Sequence, residues 1–352
     1  MKIIKPSFEI FNIPDATDEV AVYKHLEKIA RICYKSEDKI SDDSYKKMLK
    51  HLCTREHWAM FEHYVFTVSV PAWLYIDING IRPRLSDDPN ILNKIGFFKS
   101  TCWDDTSDNR YKYLISFSIT ALNRIISYPG FKFEDNLGLI ELFKFMKTKY
   151  PLITYGELDD VKNMGMITSL YGYDENVKLL TRDEIKSLPD NLREVHDTMT
   201  VQFVVDRGVT HEIVRHRPAS YAQESTRYCN YSLDKFGREL NVIKPCFFEE
   251  GTKLYEIWEK GCLDSEKAYF ELLDNGATPQ QARSVLHHSI KADLVMTANI
   301  HEYKHFFKMR CASDAHPQMI EVARPLLIEA NTVNDYYKDL FEDKMYLVEG
   351  NE

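Results

Sequence analysis

Met199-Thr200-Val201-Gln202-Phe203-Val204-Val205-Asp206-Arg207-Gly208-Val209-Thr210-His211-Glu212-Ile213-Val214-Arg215-His216-Arg217-Pro218 reads as a strand that runs into a helix and leaves it in a loop. The run Met199 to Val205 reads as the strand. A helix follows near Gly208. Pro218 opposes helix continuation, so Arg215 and Arg217 fall at a helix end and the residues after them form a loop. That loop, Ala219-Ser220-Tyr221-Ala222-Gln223-Glu224-Ser225-Thr226-Arg227-Tyr228, completes the densest polar cluster of the chain. Guanidinium forks match phosphates and carboxylates in two-point geometry, and Gln and Ser suit the base edge and phosphate of a nucleotide. The same composition is compatible with a salt-bridge network through Glu212 and Glu224.

Outward from this stretch, helical patterning dominates. Val20, Tyr23, Leu26, Ile29 and Ile32 predict a helix after Thr17, and Ser41 is placed to cap a second. Tyr64 to Val70 reads as a strand stopped by Pro71. Leu254, Ile257, Trp258, Cys262, Tyr269 and Leu273 predict a long amphipathic helix that Gly276 ends, and Pro279 suits the first turn of another. Residues 317–341 read as one more long helix. Between the two strands, residues 71–198 carry turn clusters (Ser86-Asp87-Asp88-Pro89 and Asp104-Asp105-Thr106-Ser107-Asp108) and an apolar helix around Leu137–Met146 closed by Pro151. Their composition is that of packed structure with no legible chemistry. The organisation expected is a core of 1–70 and 199–352 with an insertion at 71–198.

The 352 residues are 44 % hydrophobic and 28 % charged, an ordinary globular composition. A formal charge of −9, from 45 basic and 54 acidic residues, makes the chain a poor general nucleic-acid binder. No apolar run approaches the roughly 18 residues of a membrane span. The N-terminal stretch lacks the apolar core of a signal peptide. The expectation is a cytoplasmic protein with no nucleic-acid or membrane partner. Seven scattered Cys without a Cys-x-x-Cys pair fit free thiols.

Arg215-His216-Arg217, then seven residues, then Ser225 with Arg227-Tyr228 behind it, resembles the signature of the flavin-dependent thymidylate synthases. His57-Trp58-Ala59-Met60-Phe61-Glu62-His63 before a strand, Ala282-Arg283-Ser284-Val285-Leu286, and Asn299 to Gln318 resemble the flanking segments of that family. The resemblance covers about 17–70 and 199–340. It implies an α+β or α/β core, with helices around an antiparallel or mixed sheet and an inserted subdomain. It implies conversion of dUMP to dTMP by a flavin methyltransferase. FAD is the cofactor, methylenetetrahydrofolate and NADPH are co-substrates, and a homotetramer places the sites between subunits. It assigns Arg215, His216, Arg217, Gln223, Asn299, His301 and His305 to the cofactor. It assigns Glu212, Arg215, Gln223, Glu224, Ser225, Thr226, Arg227, Arg283 and Arg310 to the substrate, with Arg310 as the catalytic residue beside the uracil ring. Asn299 and Arg310 stand 11 residues apart, so a helix puts both on one face. Glu212, Gln223, Cys33, Ala59, His287 and His301 depart from the family's commoner residues.

Two other readings compete. The first is a homologue that binds nucleotide and flavin with altered catalysis. The second is a zinc protease, because His301-Glu302-Tyr303-Lys304-His305 is a formal His-Glu-x-x-His match. Lys308 stands where the extended zinc motif has Gly, and the third His is absent, so no metal is expected. His57 and His63 have no partner at ligand spacing. Ser225 has no general base fixed beside it.

Overall fold

The structure, a computed structural model, describes residues 1–71, 74–75, 98–105, 110–127, 137–155, 177–227, 229–232, 237–333 and 337–342. The cluster Ser86–Pro89, residues Thr106 to Asp108, and Tyr228 of the signature lie outside the described residues. Among the described residues the strands are β1 (Lys2–Ile4), β2 (Ser7–Ile10), β3 (Val65–Val70), β4 (Phe98–Asp105), β5 (Arg110–Ser118), β6 (Lys178–Leu179), β7 (Thr198–Asp206), β8 (Ser220–Gln223), β9 (Asn241–Ile243) and β10 (Lys291–Asn299). With the helices between them they make a mixed α/β chain. It divides into two compact units. One is Met1–Asn12, Ile29–Asp38 and Met199–Glu352; the other is Ile13–Lys28 and Lys39–Thr198.

The first unit is built on a four-stranded sheet in the order β2-β7-β10-β8. β2 runs antiparallel to β7, with Phe8 opposite Phe203, and β8 runs antiparallel to β10, with Ala222 opposite Val295. β1 pairs in parallel with β9. The two-residue period of β7 puts Met199, Val201, Phe203 and Val205 on one face. They are buried in one core with Leu294, Met296 and Ala298 of β10, with Ile300, Tyr303, Phe306 and Phe307 of the helix Ile300–Arg310, and with Met319, Val322, Leu326 and Leu327 of the helix Pro317–Val333. Each large side chain so buried contributes about 1.5–3 kcal/mol. The intervening residues, Val204 and Val295 apart, form a second face that is polar. The Thr200 and Thr297 hydroxyls lie 2.9 Å apart, and Gln202 Nε2 donates to Asp293 Oδ1 at 2.8 Å.

β7 and β10 both pass straight into helices, and an Asx cap marks each junction. Asp206 Oδ1 accepts the Val209 amide at 2.8 Å and starts Arg207–Ile213; its other oxygen accepts from Gln318 Nε2 at 2.6 Å. Asn299 Oδ1 accepts the Glu302 amide at 3.0 Å and starts Ile300–Arg310. Such caps contribute about 0.5–2 kcal/mol each.

The second unit holds a sheet in the order β4-β5-β3-β6, with β3 antiparallel to β5 and β6. The helix expected after Thr17 is Glu19–Tyr34, with Tyr23, Leu26, Ile29 and Ile32 buried and Val20 exposed. The apolar helix expected near Leu137 is Leu137–Lys149.

Two elements differ from expectation. The helix assigned to a Ser41 cap begins at Ser44 with Asp43 at the N-cap position, and the Ser44 hydroxyl accepts the Ser41 amide at 2.8 Å, which holds residues 41–43 as a turn ahead of the helix. The long helix expected over 317–341 stops at Val333, and a separate short helix spans Lys338–Glu342. The helix Lys253–Asp274 ends as expected before Gly276, whose φ of 90° is open to glycine. No helix among the described residues is long and apolar enough to cross a membrane.

Phe306→Ala removes a ring from the centre of the first unit's core. The substitution is expected to lower the unfolding free energy by about 3–5 kcal/mol, read as a lower denaturant midpoint at unchanged slope. A loss below about 1 kcal/mol would show that Phe306 does not hold this core together.

Candidate active site

Arg310 closes the helix Ile300–Arg310, and Glu212 lies in the last turn of the helix Arg207–Ile213. The two helix ends are tied by one side chain. Arg310 Nε donates to His216 Nε2 at 2.8 Å, Nη1 donates to Glu212 Oε2 at 2.8 Å, and Nη2 donates to the Glu212 carbonyl at 3.0 Å. Because His216 Nε2 accepts, the imidazole is neutral and carries its hydrogen on Nδ1. Burial, reinforced by Arg310 and His305, pushes the His216 pKa down to about 4, which agrees with that state. Nδ1 is buried and has no hydrogen-bond partner among the described residues. The rings of Phe306 and His305 flank His216 at 5.0 and 5.7 Å between centroids. The Tyr221 hydroxyl lies 2.6 Å from the His216 carbonyl and 2.9 Å from that of Ile213, which pins the turn at the helix end.

Arg215 and Arg217 follow on that turn, exposed and without an ion-pair partner among the described residues. The salt-bridge reading of this cluster therefore takes an unexpected form. Both carboxylates are paired, but not with the arginines near them in sequence. Glu212 pairs with Arg310, and Glu224 pairs with Lys291 at 2.8 Å. The guanidiniums of the turn stay available to an anion.

A second group forms on the loop after β8. The Ser225 amide donates to the Cys33 carbonyl at 3.2 Å, and Ser225 Oγ accepts the Arg227 amide at 3.4 Å. Arg283 Nη1 donates to Thr226 Oγ1 at 3.4 Å, and Arg227 Nε donates to Gln280 Oε1 at 3.3 Å. Gln223 Nε2 donates to Thr210 Oγ1 at 2.9 Å, which joins β8 to the helix Arg207–Ile213. Glu224 is almost wholly buried beneath this loop.

The structure thus gathers Glu212, His216, His305 and Arg310, and separately Ser225, Thr226, Arg227 and Arg283. Asn299 is apart from Arg310. It caps the opposite end of the same helix, about 16 Å away at 1.5 Å per residue. His301 is exposed in the first turn of that helix. Among the described residues no three His, Cys, Asp or Glu side chains stand together to hold a metal ion. The sequence reading passed over Lys35, Tyr231, Lys291 and Asp293, which surround Glu224. The signal for two of them was present: Lys291 and Asp293 alternate with Ala292 and Leu294, the mark of a strand with one polar face.

A family model described as "Thymidylate synthase complementing protein" matches residues 192–333. The flavin-dependent thymidylate synthase of Pyrococcus abyssi is 33 % identical over 163 residues, covering 44 % of this chain and 66 % of that protein. The protein of the same name from Pyrococcus furiosus is 33 % identical over 159 residues, covering 43 % and 64 %. That of Geobacter sulfurreducens is 31 % identical over 146 residues, covering 41 % and 61 %. The chain spans just under two thirds of the length of these relatives. A solved UMP/dUMP methylase, PolB from Streptomyces cacaoi bound with 5-Br dUMP, is similar at a TM-score of 0.33 and 20 % identity over 40 % of this chain and 70 % of that one, too slight a likeness to bear on the fold. By sequence, residues 192–333 of the chain are similar to the flavin-dependent thymidylate synthases.

The neutral His216 makes the protein acid-sensitive. An unfolded histidine takes up its proton near pH 6.5, whereas folded His216 does so near 4, so stability is lost as pH falls through that window. Between pH 7 and pH 5 this one group is expected to cost roughly 2 kcal/mol. Unfolding measured at both pH values should show a correspondingly smaller loss for His216→Gln, whose amide oxygen still accepts from Arg310. An equal loss in parent and variant would mean that His216 is charged in the folded state.

Proposed function

We propose that the chain is an FAD-dependent thymidylate synthase. It converts dUMP to dTMP with a carbon from methylenetetrahydrofolate and electrons from NADPH, and works as a homotetramer in the cytoplasm. The observation that carries this reading is the fixed guanidinium of Arg310 beside a neutral histidine, next to two arginines, the histidine Nδ1 and both arginines lacking a partner among the described residues. Arg215, Arg217 and the Nδ1 hydrogen of His216 are a donor set suited to the phosphates and ring acceptors of a flavin dinucleotide. His305, Gln223, Asn299 and His301 complete its contacts. When bound, the flavin supplies the redox chemistry between NADPH and the transferred carbon. Ser225, Thr226, Arg227 and Arg283 hold the nucleotide. Every residue given a role lies in the first unit.

Carbon 5 of uracil is a weak nucleophile, and methylation there needs negative charge accommodated at N3 and O4. A guanidinium has five N–H donors, and Arg310 spends three of them on His216 and Glu212. Two are left to donate to a pyrimidine without breaking the clamp that orients them. Preorganisation of this kind is worth roughly 10²–10³ in rate. A thiolate adding to carbon 6 is the chemical alternative, but burial holds Cys33, Cys262 and Cys311 protonated. Burial pushes Cys33 up to about 11, and Cys262 and Cys311 up to about 12. One observation favours a second reading, a homologue that binds both ligands with altered catalysis: Glu212 partly neutralises the cation on which the chemistry depends.

Replacing Arg215 and Arg217 together with Ala should abolish the flavin absorbance of the purified protein. Arg310→Ala should keep the flavin and the oxidation of NADPH while making dTMP at least about a hundredfold more slowly, the scale of one lost preorganised donor. Near-parental dTMP formation by Arg310→Ala, or its loss on changing a single Cys to Ser in folded protein, would refute the electrostatic mechanism.

A further inference from the structure

The loop that carries Ser225 to Arg227 rests on charges buried within the first unit. Lys35, Glu224, Lys291 and Asp293 have side chains only 16, 1, 11 and 4 % exposed. Lys291 Nζ lies 2.8 Å from Glu224 Oε2 and 2.5 Å from Asp293 Oδ2, and Lys35 pairs with that same Asp293 oxygen. The remaining carboxylate oxygens are also taken. Glu224 Oε1 accepts from the Tyr231 hydroxyl at 2.8 Å, and Asp293 Oδ1 accepts from Gln202 Nε2 at 2.8 Å. Within the buried group two cations and two anions balance, and Lys35 also reaches the exposed Glu37 carboxylate at 3.4 Å. Burial pushes the Asp293 carboxyl up, but Lys291 and Lys35 outweigh it and hold the group well below the usual carboxylate range.

The backbone joins the quartet to the loop residue by residue. The Gln223 carbonyl accepts from Cys33 Sγ at 3.0 Å, the Glu224 amide donates to the Asp293 carbonyl at 2.8 Å, and the Ser225 amide donates to the Cys33 carbonyl at 3.2 Å. Lys35 itself sits in the left-handed region, with φ of 48°, just past the helix Glu19–Tyr34. A non-glycine residue holds that conformation where its surroundings over-determine it. Buried ion pairs seldom add stability over an apolar filling of equal volume, but removing one member leaves an uncompensated charge, so such a group enforces one arrangement of the backbone that bears it.

We propose that the quartet Lys35–Asp293–Lys291–Glu224 is the positioning device of the nucleotide loop, setting Ser225 and Arg227 for the phosphate end of the nucleotide without touching it. This rests on the reading above that the loop holds dUMP. Glu224 is then a positioning residue, and its loss should be felt by the phosphate and not by the base.

The test is equilibrium binding of dUMP and of deoxyuridine, which lacks the phosphate, to the flavin-loaded protein. Glu224→Gln should weaken dUMP about tenfold or more, the scale of one misplaced charge-assisted hydrogen bond, and leave deoxyuridine within about twofold. The charge-balanced pair Glu224→Gln with Lys291→Met should bring dUMP back to within about threefold of the parent. If Glu224→Gln does not fold, Lys35→Met, at the most exposed member, carries the same expectation. Unchanged dUMP binding, equal weakening of nucleotide and nucleoside, or a double variant no better than the single would each overturn the proposal. A parent protein that does not prefer dUMP to deoxyuridine would overturn the reading beneath it, whereas a normal parent beside an unaffected variant overturns the positioning role alone.

Discussion

The alternation of side chains along β7 and β10 is the constraint on which the first unit depends. One face supplies Val201, Phe203, Leu294 and Met296 to the apolar core and so fixes the helix whose last residue is Arg310. The other face supplies Thr200, Gln202, Asp293 and Thr297, which no apolar layer can cover without polar partners. Lysines answer the charge on that face, and the loop after β8 is anchored there. A one-residue slip of β10 would exchange the faces and put Asp293 into the hydrophobic core. The arginine clamp and the loop after β8 are thus two consequences of one strand register.

The electrostatics follow from this division. The chain carries a formal charge of −9, yet exposed arginines without ion-pair partners among the described residues stand at the end of the helix Arg207–Ile213. The nearby carboxylates are unavailable to them: Glu212 is engaged by Arg310, and Glu224 is turned into the buried quartet. Local positive potential in an acidic protein is obtained by occupying the acids elsewhere, not by adding bases. Glu212 has a second effect. It orients Arg310 through both its side chain and its carbonyl, trading some of the cation's field for a fixed direction.

The stretch from Met199 to Pro218 was legible because its local signals agree: a strand-like run, a helix starting near Gly208, and a proline past the helix end. The amphipathic helix Lys253–Asp274 was legible for the same reason. The partner of Glu212 was not, since Arg310 is 98 residues away and no local pattern couples them. Ser41 is not the cap because the helix starts three residues later, with Asp43 at the N-cap position, a choice between neighbouring polar residues that spacing does not decide. The spacing of Asn299 and Arg310 was legible, and an 11-residue helix does separate them by its full length. The buried quartet escaped because charges are expected outside, and only its alternation with Ala292 and Leu294 marked it otherwise.

The most direct measurement is dTMP formation by the purified chain from dUMP, methylenetetrahydrofolate and NADPH, with the flavin removed and then restored. The account predicts turnover that is lost with the flavin and returns with FAD. Flavin-independent turnover, or FAD binding with no dTMP formed, would contradict it.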